Sequence, residues 1–295
     1  MLEECYIHRE KLDSIFPRKG KIERIATGFQ FTEGPVWNSK GGYLLFSDIP
    51  KNQILRWSPA GEITIFREPS GNSNGLTYDR EERLVICEHG GRRISRIERD
   101  GSYRILADKF QDKRLNSPND VVVNSEGMIY FTDPPYGIEP EQQELPFQGV
   151  FRLDPENREL TLLVKDFEKP NGLAFSPDEK VLFIADSSTD RRHLRAFDVN
   201  PDGTLGNNRV FAEIRSEETG NPDGIKVDME GNVYVSAAGG IWVFSVNGEK
   251  LGVIKTPERP ANCAWGDADW KSLYLTARTS LYRVKLNIPG YNVFS

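Results

Sequence analysis

The sequence predicts an all-β chain folded as a six-bladed β-propeller, four antiparallel strands to a blade, with the last blade closed by an N-terminal strand. Three observations carry this. A polar residue beside Pro or Gly, followed by a short apolar run, recurs at Glu33-Gly34-Pro35-Val36-Trp37, Asn74-Gly75-Leu76, Pro118-Asn119-Asp120-Val121, Pro170-Asn171-Gly172-Leu173, Asn221-Pro222-Asp223-Gly224-Ile225 and Asn262-Cys263-Ala264-Trp265. The leading polar residues, Glu33, Asn74, Asn119, Asn171, Asp223 and Asn262, stand 41, 45, 52, 52 and 39 positions apart, which is the period of a propeller blade. A second apolar strand ends 14 or 15 residues after each lead, at Asp48, Glu88, Asp133, Asp186, Ala237 and Ala277, so two strands of every unit repeat.

Residues 1–20 carry no strand pattern and form an N-terminal appendage in which Ile7, Leu12, Ile15 and Phe16 could dock as a short helix. Residues 21–295 then make a single propeller domain. Residues 21–28 alternate apolar and polar side chains, as a strand does, but precede the first full unit. Unit one reads as strands at 33–37, 43–48, 53–57 and 62–66, separated by turns rich in Asn, Ser, Pro and Gly. Unit two gives 75–78, 83–88, 93–98 and 103–107, and unit three 120–123, 128–133, 149–153 and 160–164. Unit four gives 173–176, 181–186, 194–199 and 209–213, and unit five 225–228, 233–237, 240–245 and 250–255. Unit six supplies three strands, at 263–266, 272–276 and 281–286. Its missing fourth is the strand at 21–28, and closing the ring with both termini removes the exposed edges that template aggregation.

Composition narrows the partners. The 295 residues, 38% hydrophobic and 11% aromatic, can bury one large core. A net charge of -6 without a Lys/Arg-rich run argues against nucleic acid or an anionic membrane as a partner. No apolar window approaches the roughly 18 to 20 residues of a membrane helix. The charged start of the chain lacks the apolar core of a secretory signal, so a cytoplasmic location is the expectation. Cys5, Cys87 and Cys263 are odd in number and lack metal-finger spacing, which predicts buried thiols rather than disulfides or a zinc cluster. Oligomeric state has no sequence signal.

In a propeller the first strand of each blade lies nearest the axis and begins on one face, and the second returns to that face. The six leads, the acids that end second strands and the insertion 134–148 therefore gather at one mouth of the channel. Glu33 and Asp223 are carboxylates and the other leads are amides, an all-oxygen set suited to a hard cation such as calcium or magnesium. Two carboxylates would neutralise a divalent ion, and buried without one they would repel each other. Calcium takes roughly six to eight oxygens, so a shell of Glu33, Asn119, Asn171 and Asp223 leaves positions for water and substrate. The plainer alternative is that Asn and Asp begin strands because they satisfy turn backbone. That suffices for any one of them and less well for four that converge.

These motifs resemble a known family. Glu33-Gly34-Pro35-x-Trp37, Asn119-Asp120, Pro170-Asn171-Gly172-Leu173 and Pro222-Asp223-Gly224 are similar, in order and spacing, to the signatures of the senescence-marker-protein, gluconolactonase and luciferin-regenerating-enzyme family, over about residues 21 to 286. Ser117-Pro118-Asn119-Asp120 and Phe131-Thr132-Asp133-Pro134-Pro135-Tyr136-Gly137 resemble its bacterial gluconolactonase branch. The resemblance implies one divalent metal held by Glu33, Asn171 and Asp223, with Asn119 completing the shell or touching substrate. It implies hydrolysis of sugar lactones, with Asp223 as proton donor and acceptor. Calcium is the first expectation, with magnesium, manganese or zinc as alternatives. The regucalcin branch carries an Arg two positions before the asparagine matched by Asn119, where this chain has Ser117, so sugar recognition must be built differently. Ester hydrolysis needs a polarised carbonyl, an activated water and a proton shuttle; the metal suits the first two and Asp223 the third.

Further residues are weighed on position. His89 and Arg92 follow the second strand of blade two and should overhang the mouth, for substrate hydroxyls or an oxyanion, unless they are solvated turn residues. Asn74, Asn119 and Tyr136 join His89 as substrate contacts, and the acidic stretch 139–145 could form a lid. Asp48, Glu88, Asp133 and Asp186 are expected to cap blade turns, whereas Arg191, Arg192 and His193 are further substrate candidates. Gly71-Asn72-Ser73-Asn74-Gly75 satisfies the nucleophile-elbow pattern, but that elbow needs a strand before the serine and a helix after it. Here a turn precedes and a strand follows. Three functions stay open: a metal-dependent lactonase on aldonolactones, a phosphotriesterase-like hydrolase using the same metal, and a non-catalytic ligand-binding propeller. The carboxylate pair favours the enzymes.

Overall fold

The computed structural model describes residues 12–17 and 20–292. Blade one consists of β2 (Thr32–Asn38), β3 (Tyr43–Asp48), β4 (Gln53–Trp57) and β5 (Ile63–Arg67), hydrogen-bonded in that order; β1 (Ile22–Thr27) belongs to blade six. Blade two is β6 (Ser73–Tyr78), β7 (Leu84–Glu88), β8 (Arg93–Ile97) and β9 (Tyr103–Ala107), followed by a small hairpin of β10 (Lys109–Phe110) and β11 (Lys113–Arg114). Blade three is β12 (Val121–Val123), β13 (Ile129–Asp133), β14 (Gly149–Leu153) and β15 (Leu160–Val164). Blade four is β16 (Pro170–Phe175), β17 (Val181–Asp186), β18 (His193–Val199) and β19 (Leu205–Glu213). Blade five is β20 (Ile225–Val227), β21 (Val233–Ala237), β22 (Gly240–Phe244) and β23 (Lys250–Lys255). Blade six is β24 (Asn262–Gly266), β25 (Ser272–Ala277), β26 (Ser280–Lys285) and the N-terminal β1, paired antiparallel with Ile22 opposite Val284 and Thr27 opposite Ser280.

The six-bladed propeller and its closure by the N-terminal strand therefore stand as expected. The inner strands form a ring, with β2 against β6 and β24 and each later inner strand against the next. Second strands such as Leu84–Glu88 and Val233–Ala237 are buried at every position, because neighbouring blades cover both their faces. They accordingly read as continuous apolar runs rather than alternating ones. The apolar core is divided into clusters seated between adjacent blades. Between blades six and one, for example, Trp37 stacks on Tyr274 with centroids 5.3 Å apart.

Two glycines that follow leads explain how the axis becomes narrow. A Cβ on Gly34, at φ +50°, would lie 1.9 Å from the Asn74 carbonyl oxygen, and one on Gly172 would lie 2.2 Å from that of Asp223. Only glycine lets the next blade's lead approach so closely. The strand-ending acids act as staples: Asp48 accepts from the Gln30 and Phe31 N–H groups, both at 3.1 Å, and Asp186 from Glu168 (3.2 Å) and Lys169 (3.1 Å). Each holds the loop that enters its own blade's inner strand. Glu88 differs, taking Arg93 at 2.7 Å along with Ser95 and Tyr103.

The appendage is anchored. Leu12, Ile15 and Phe16 are buried beside Leu286 and Ile288, and Asn287 N–H donates to the Ile15 carbonyl at 2.8 Å. The described residues 12–16 are a turn rather than a helix, and Ile7 lies outside the described residues. So does Cys5, whereas Cys87 and Cys263 are buried free thiols. The β10–β11 hairpin and a single 3-10 turn at Pro140–Gln142 are additions that the sequence pattern does not announce, being too short for a period. Among the described residues, no helix is long and apolar enough to cross a membrane.

Candidate active site

One mouth of the ring opens on a cavity of about 390 Å³ whose lining includes five leads: Glu33, Asn74, Asn119, Asn171 and Asp223. The sixth, Asn262, does not line it; its Nδ2 donates to Asp120 Oδ2 at 3.3 Å and its Oδ1 accepts the Cys263 N–H at 2.9 Å. His89 and Tyr136 face the same space. Phe31, Ile49 and Pro50 of blade one make an apolar wall, and Ser187, Asn221 and Arg259 complete the lining.

The electrostatics are those of an acceptor-rich site. Burial pushes the Glu33 carboxyl up to about 7, and the Asp120 charge adds to the shift. Asp223 is raised well above the usual carboxylate range, first by desolvation and then by Glu33 and Asp120, with Arg259 pulling back. Asn171 Oδ1 and Asn74 Oδ1 are buried without a hydrogen-bond partner, each costing about 1 to 3 kcal/mol. Two repelling carboxylates and unpartnered amide oxygens gather in one cavity where Arg259 and Lys226 offset them only in part, and a hard divalent cation fits that deficit. Among the described residues, no group of three or more His, Cys, Asp or Glu could hold a metal by itself. Amide oxygens must therefore complete any shell.

His89 is buried and its imidazole is lowered by desolvation to about 4. Its Nε2 lies 3.1 Å from Asn74 Nδ2 and 3.4 Å from Asn119 Nδ2, so the neutral ring ties two leads together. Ser117 is fully buried: its Oγ donates to the Pro134 carbonyl at 2.7 Å and accepts the Gly137 N–H at 2.8 Å. It anchors the turn that carries Tyr136 to the cavity, the position where the regucalcin branch has an arginine being spent here on backbone.

Several candidates lie elsewhere. Arg92 is buried and turned away, its Nε donating to the Leu115 (2.8 Å) and Asn116 (3.1 Å) carbonyls. Backbone acceptors claim the side chain expected to overhang the mouth. Arg191 and Arg192 line a separate surface depression with Glu213 and Arg215, and Arg191 pairs with Glu168 at 3.2 Å. His193 opens β18 opposite Asp186, outside the cavity. The stretch 139–145 contributes nothing to the cavity lining, and its Leu145 is buried in the core between blades two and three, which makes the segment a stitched loop rather than a lid. Ser73 is buried within β6 with its Oγ 2.8 Å from Ser47 Oγ, unlike an exposed nucleophile.

Ile49, Ser187 and Arg259 escape a reading by motif, yet two of them follow a rule. Ile49, His89 and Ser187 each come directly after the acid that ends a second strand. Phe31, Asn221 and Arg259 sit two or three positions before a lead.

The profile of the SMP-30/Gluconolactonase/LRE-like region matches residues 31–279. The chain belongs to this family. Among its relatives, a gluconolactonase of Zymomonas mobilis is 35% identical over 95% of this chain and 85% of its own length. A regucalcin of Xenopus laevis is 27% identical over 87% and 86%. A solved gluconolactonase from Xanthomonas campestris superposes with a TM-score of 0.88 at 33% identity, covering 96% of this chain and 95% of that one.

Proposed function

We propose that this cavity hydrolyses sugar lactones, aldonolactones such as gluconolactone among them, with a divalent cation held by Glu33, Asn171 and Asp223 and completed by Asn119. The observation that carries the reading is the convergence of two carboxylates, Glu33 and Asp223, with the unpartnered Asn171 Oδ1 in one cavity. Family membership and the gluconolactonase relative at 35% identity support the lactone. The all-oxygen donors favour calcium, ahead of magnesium, manganese or zinc. A cation bound there would supply Lewis acidity to the carbonyl oxygen and make a neighbouring water more acidic.

The chain's own residues do the rest. Asp223 takes a proton from water as the water oxygen bonds to the carbonyl carbon, and gives it to the ring oxygen as the ring C–O bond breaks. One water is consumed and one hydroxy acid leaves. Asp223 can be a base only while ionised, and positive charge nearby, Arg259 included, works in that direction. His89 positions Asn74 and Asn119 by accepting from their amides. Tyr136, 44% exposed at the rim, offers an aromatic face to the sugar. Phe31 and Ile49 keep one side of the ring out of water.

Gluconolactone hydrolysis followed by acid release tests this. Chelation should abolish the enzymatic rate, added calcium should restore it, and Asp223→Asn should lower kcat by about a hundredfold or more. Full activity in Asp223→Asn removes that residue from the mechanism.

A further inference from the structure

Arg259 is the single cationic side chain among the described residues that line the cavity. It lies exposed in the turn between β23 and β24, and no described carboxylate stands within ion-pair distance of its guanidinium. Asp223 feels the Arg259 charge from within the same cavity without forming an ion pair, and Glu258 and Glu218 are committed elsewhere. Glu258 accepts from the Thr279 N–H (3.0 Å) and Oγ1 (2.8 Å) and from the Tyr282 hydroxyl (2.9 Å), while Glu218 pairs with Lys255. The arginine stem passes close beside Gly220, where a Cβ would meet Arg259 Cδ at 3.2 Å. The apolar wall of Phe31, Ile49 and Pro50 belongs to the neighbouring blade one, and the remaining neutral groups of the cavity are amides, hydroxyls and an uncharged imidazole. A guanidinium is not needed to bind sugar hydroxyls, which amides serve as well. It is the group that binds a carboxylate through two parallel hydrogen bonds, more strongly where water is partly excluded.

We propose that Arg259 makes this site prefer sugar lactones that carry a carboxylate of their own, the aldarolactone class, over neutral aldonolactones. The inference rests on the lactonase reading. A cavity of about 390 Å³ has room for a six-carbon sugar lactone whose far end is a carboxylate. The carboxylate lies at the end of the substrate away from the reacting carbonyl, so Arg259 touches no bond that forms or breaks, and its pull on Asp223 is common to both lactones and cancels in their ratio.

The full chain, with calcium supplied, is assayed on a glucarolactone and on gluconolactone, as wild type, Arg259→Gln and Arg259→Lys. The wild type should favour the glucarolactone. Its kcat/KM ratio over gluconolactone should fall about tenfold or more in Arg259→Gln, through KM, and recover only in part in Arg259→Lys, which restores the charge but not the paired hydrogen bonds. An unchanged ratio overturns the proposal, as does a wild type that turns over gluconolactone but not glucarolactone. Calorimetric titration with glucarate reads the same contact without turnover: affinity about tenfold weaker in Arg259→Gln supports it, and equal affinity overturns it. Glucarate binding that depends on Arg259 in a chain that opens neither lactone sinks the lactonase reading and leaves the anion site. Lactone turnover with glucarate binding indifferent to Arg259 does the reverse.

Discussion

Asn74 Nδ2 lies 3.1 Å from His89 Nε2, and Asn119 Nδ2 lies 3.4 Å from the same nitrogen. Both neighbours donate, so Nε2 accepts and the ring proton sits on Nδ1. With burial lowering the imidazole to about 4, the histidine is neutral at working pH and holds two leads in place. Nitrogen-15 NMR at pH 7 should find Nε2 unprotonated. His89→Gln retains an acceptor and should lose about tenfold in kcat/KM, whereas His89→Ala leaves two amides unpaired and should lose about a hundredfold. A protonated Nε2, or the reverse order of the variants, rules this role out.

Gly172 ties the lead of blade four to that of blade five. A Cβ there would lie 2.2 Å from the Asp223 carbonyl oxygen and 2.7 Å from Gly224 Cα, both backbone atoms that cannot swing away. Gly172→Ala must therefore push two inner strands apart between Asn171 and Asp223. Thermal unfolding should report a loss of about 2 to 4 kcal/mol, and calcium titration should weaken in the same variant. A fully stable Gly172→Ala protein would mean that the blades have slack at the axis.

The blades are legible because each inner strand needs a polar start and a glycine or proline beside it, and because second strands covered on both faces must be apolar throughout. Closure by residues 21–28 follows from one missing strand in the last unit. The leads are legible as a set, since topology alone carries Glu33, Asn74, Asn119, Asn171 and Asp223 to one mouth. Direction within a loop is not: Arg92 and His89 are three residues apart, yet one enters the cavity and the other is captured by the Leu115 and Asn116 carbonyls. Arg259 is hidden because its placement beside Gly220 brings together residues distant in the chain. Asn262 shares its pattern with the other leads and differs only in having Asp120 within reach.

Asp133 carries a pH dependence away from the metal ligands. Burial pushes its carboxyl up to about 8, against the Asn116 N–H at 2.8 Å and the Arg92 charge, and its Oδ1 has no partner. Between its ordinary value and about 8 the folded chain holds a proton that the unfolded chain has released, so stability falls as pH rises through that window. Asp133→Asn keeps an acceptor for Asn116 and removes the charge. Its unfolding free energy, read from thermal melts, should match the wild type near pH 4 and exceed it increasingly toward pH 8, by an amount on the order of a few kcal/mol. A difference that does not change with pH would show that Asp133 is ionised in the fold.

Glu33 gives the corresponding test at the centre of the site. Its carboxyl, raised to about 7 by burial and by Asp120, weakens the cation-free fold progressively as pH climbs from its ordinary value to about 7. At pH 8 the penalty is fully present, about 3 kcal/mol by the usual conversion. Glu33→Gln keeps the shape and removes the charge, so in chelator the variant should melt higher than the wild type. Adding calcium should raise the wild type, because a cation that binds only the folded chain stabilises it by mass action, and should leave the variant nearly unmoved. The order of the two melting curves therefore inverts between chelator and calcium. A wild type indifferent to calcium, or a variant that gains as much as the wild type, would mean that these carboxylates are satisfied by protons and by the charges of Lys226 near Glu33 and Arg259 near Asp223, and that the cavity works without a metal.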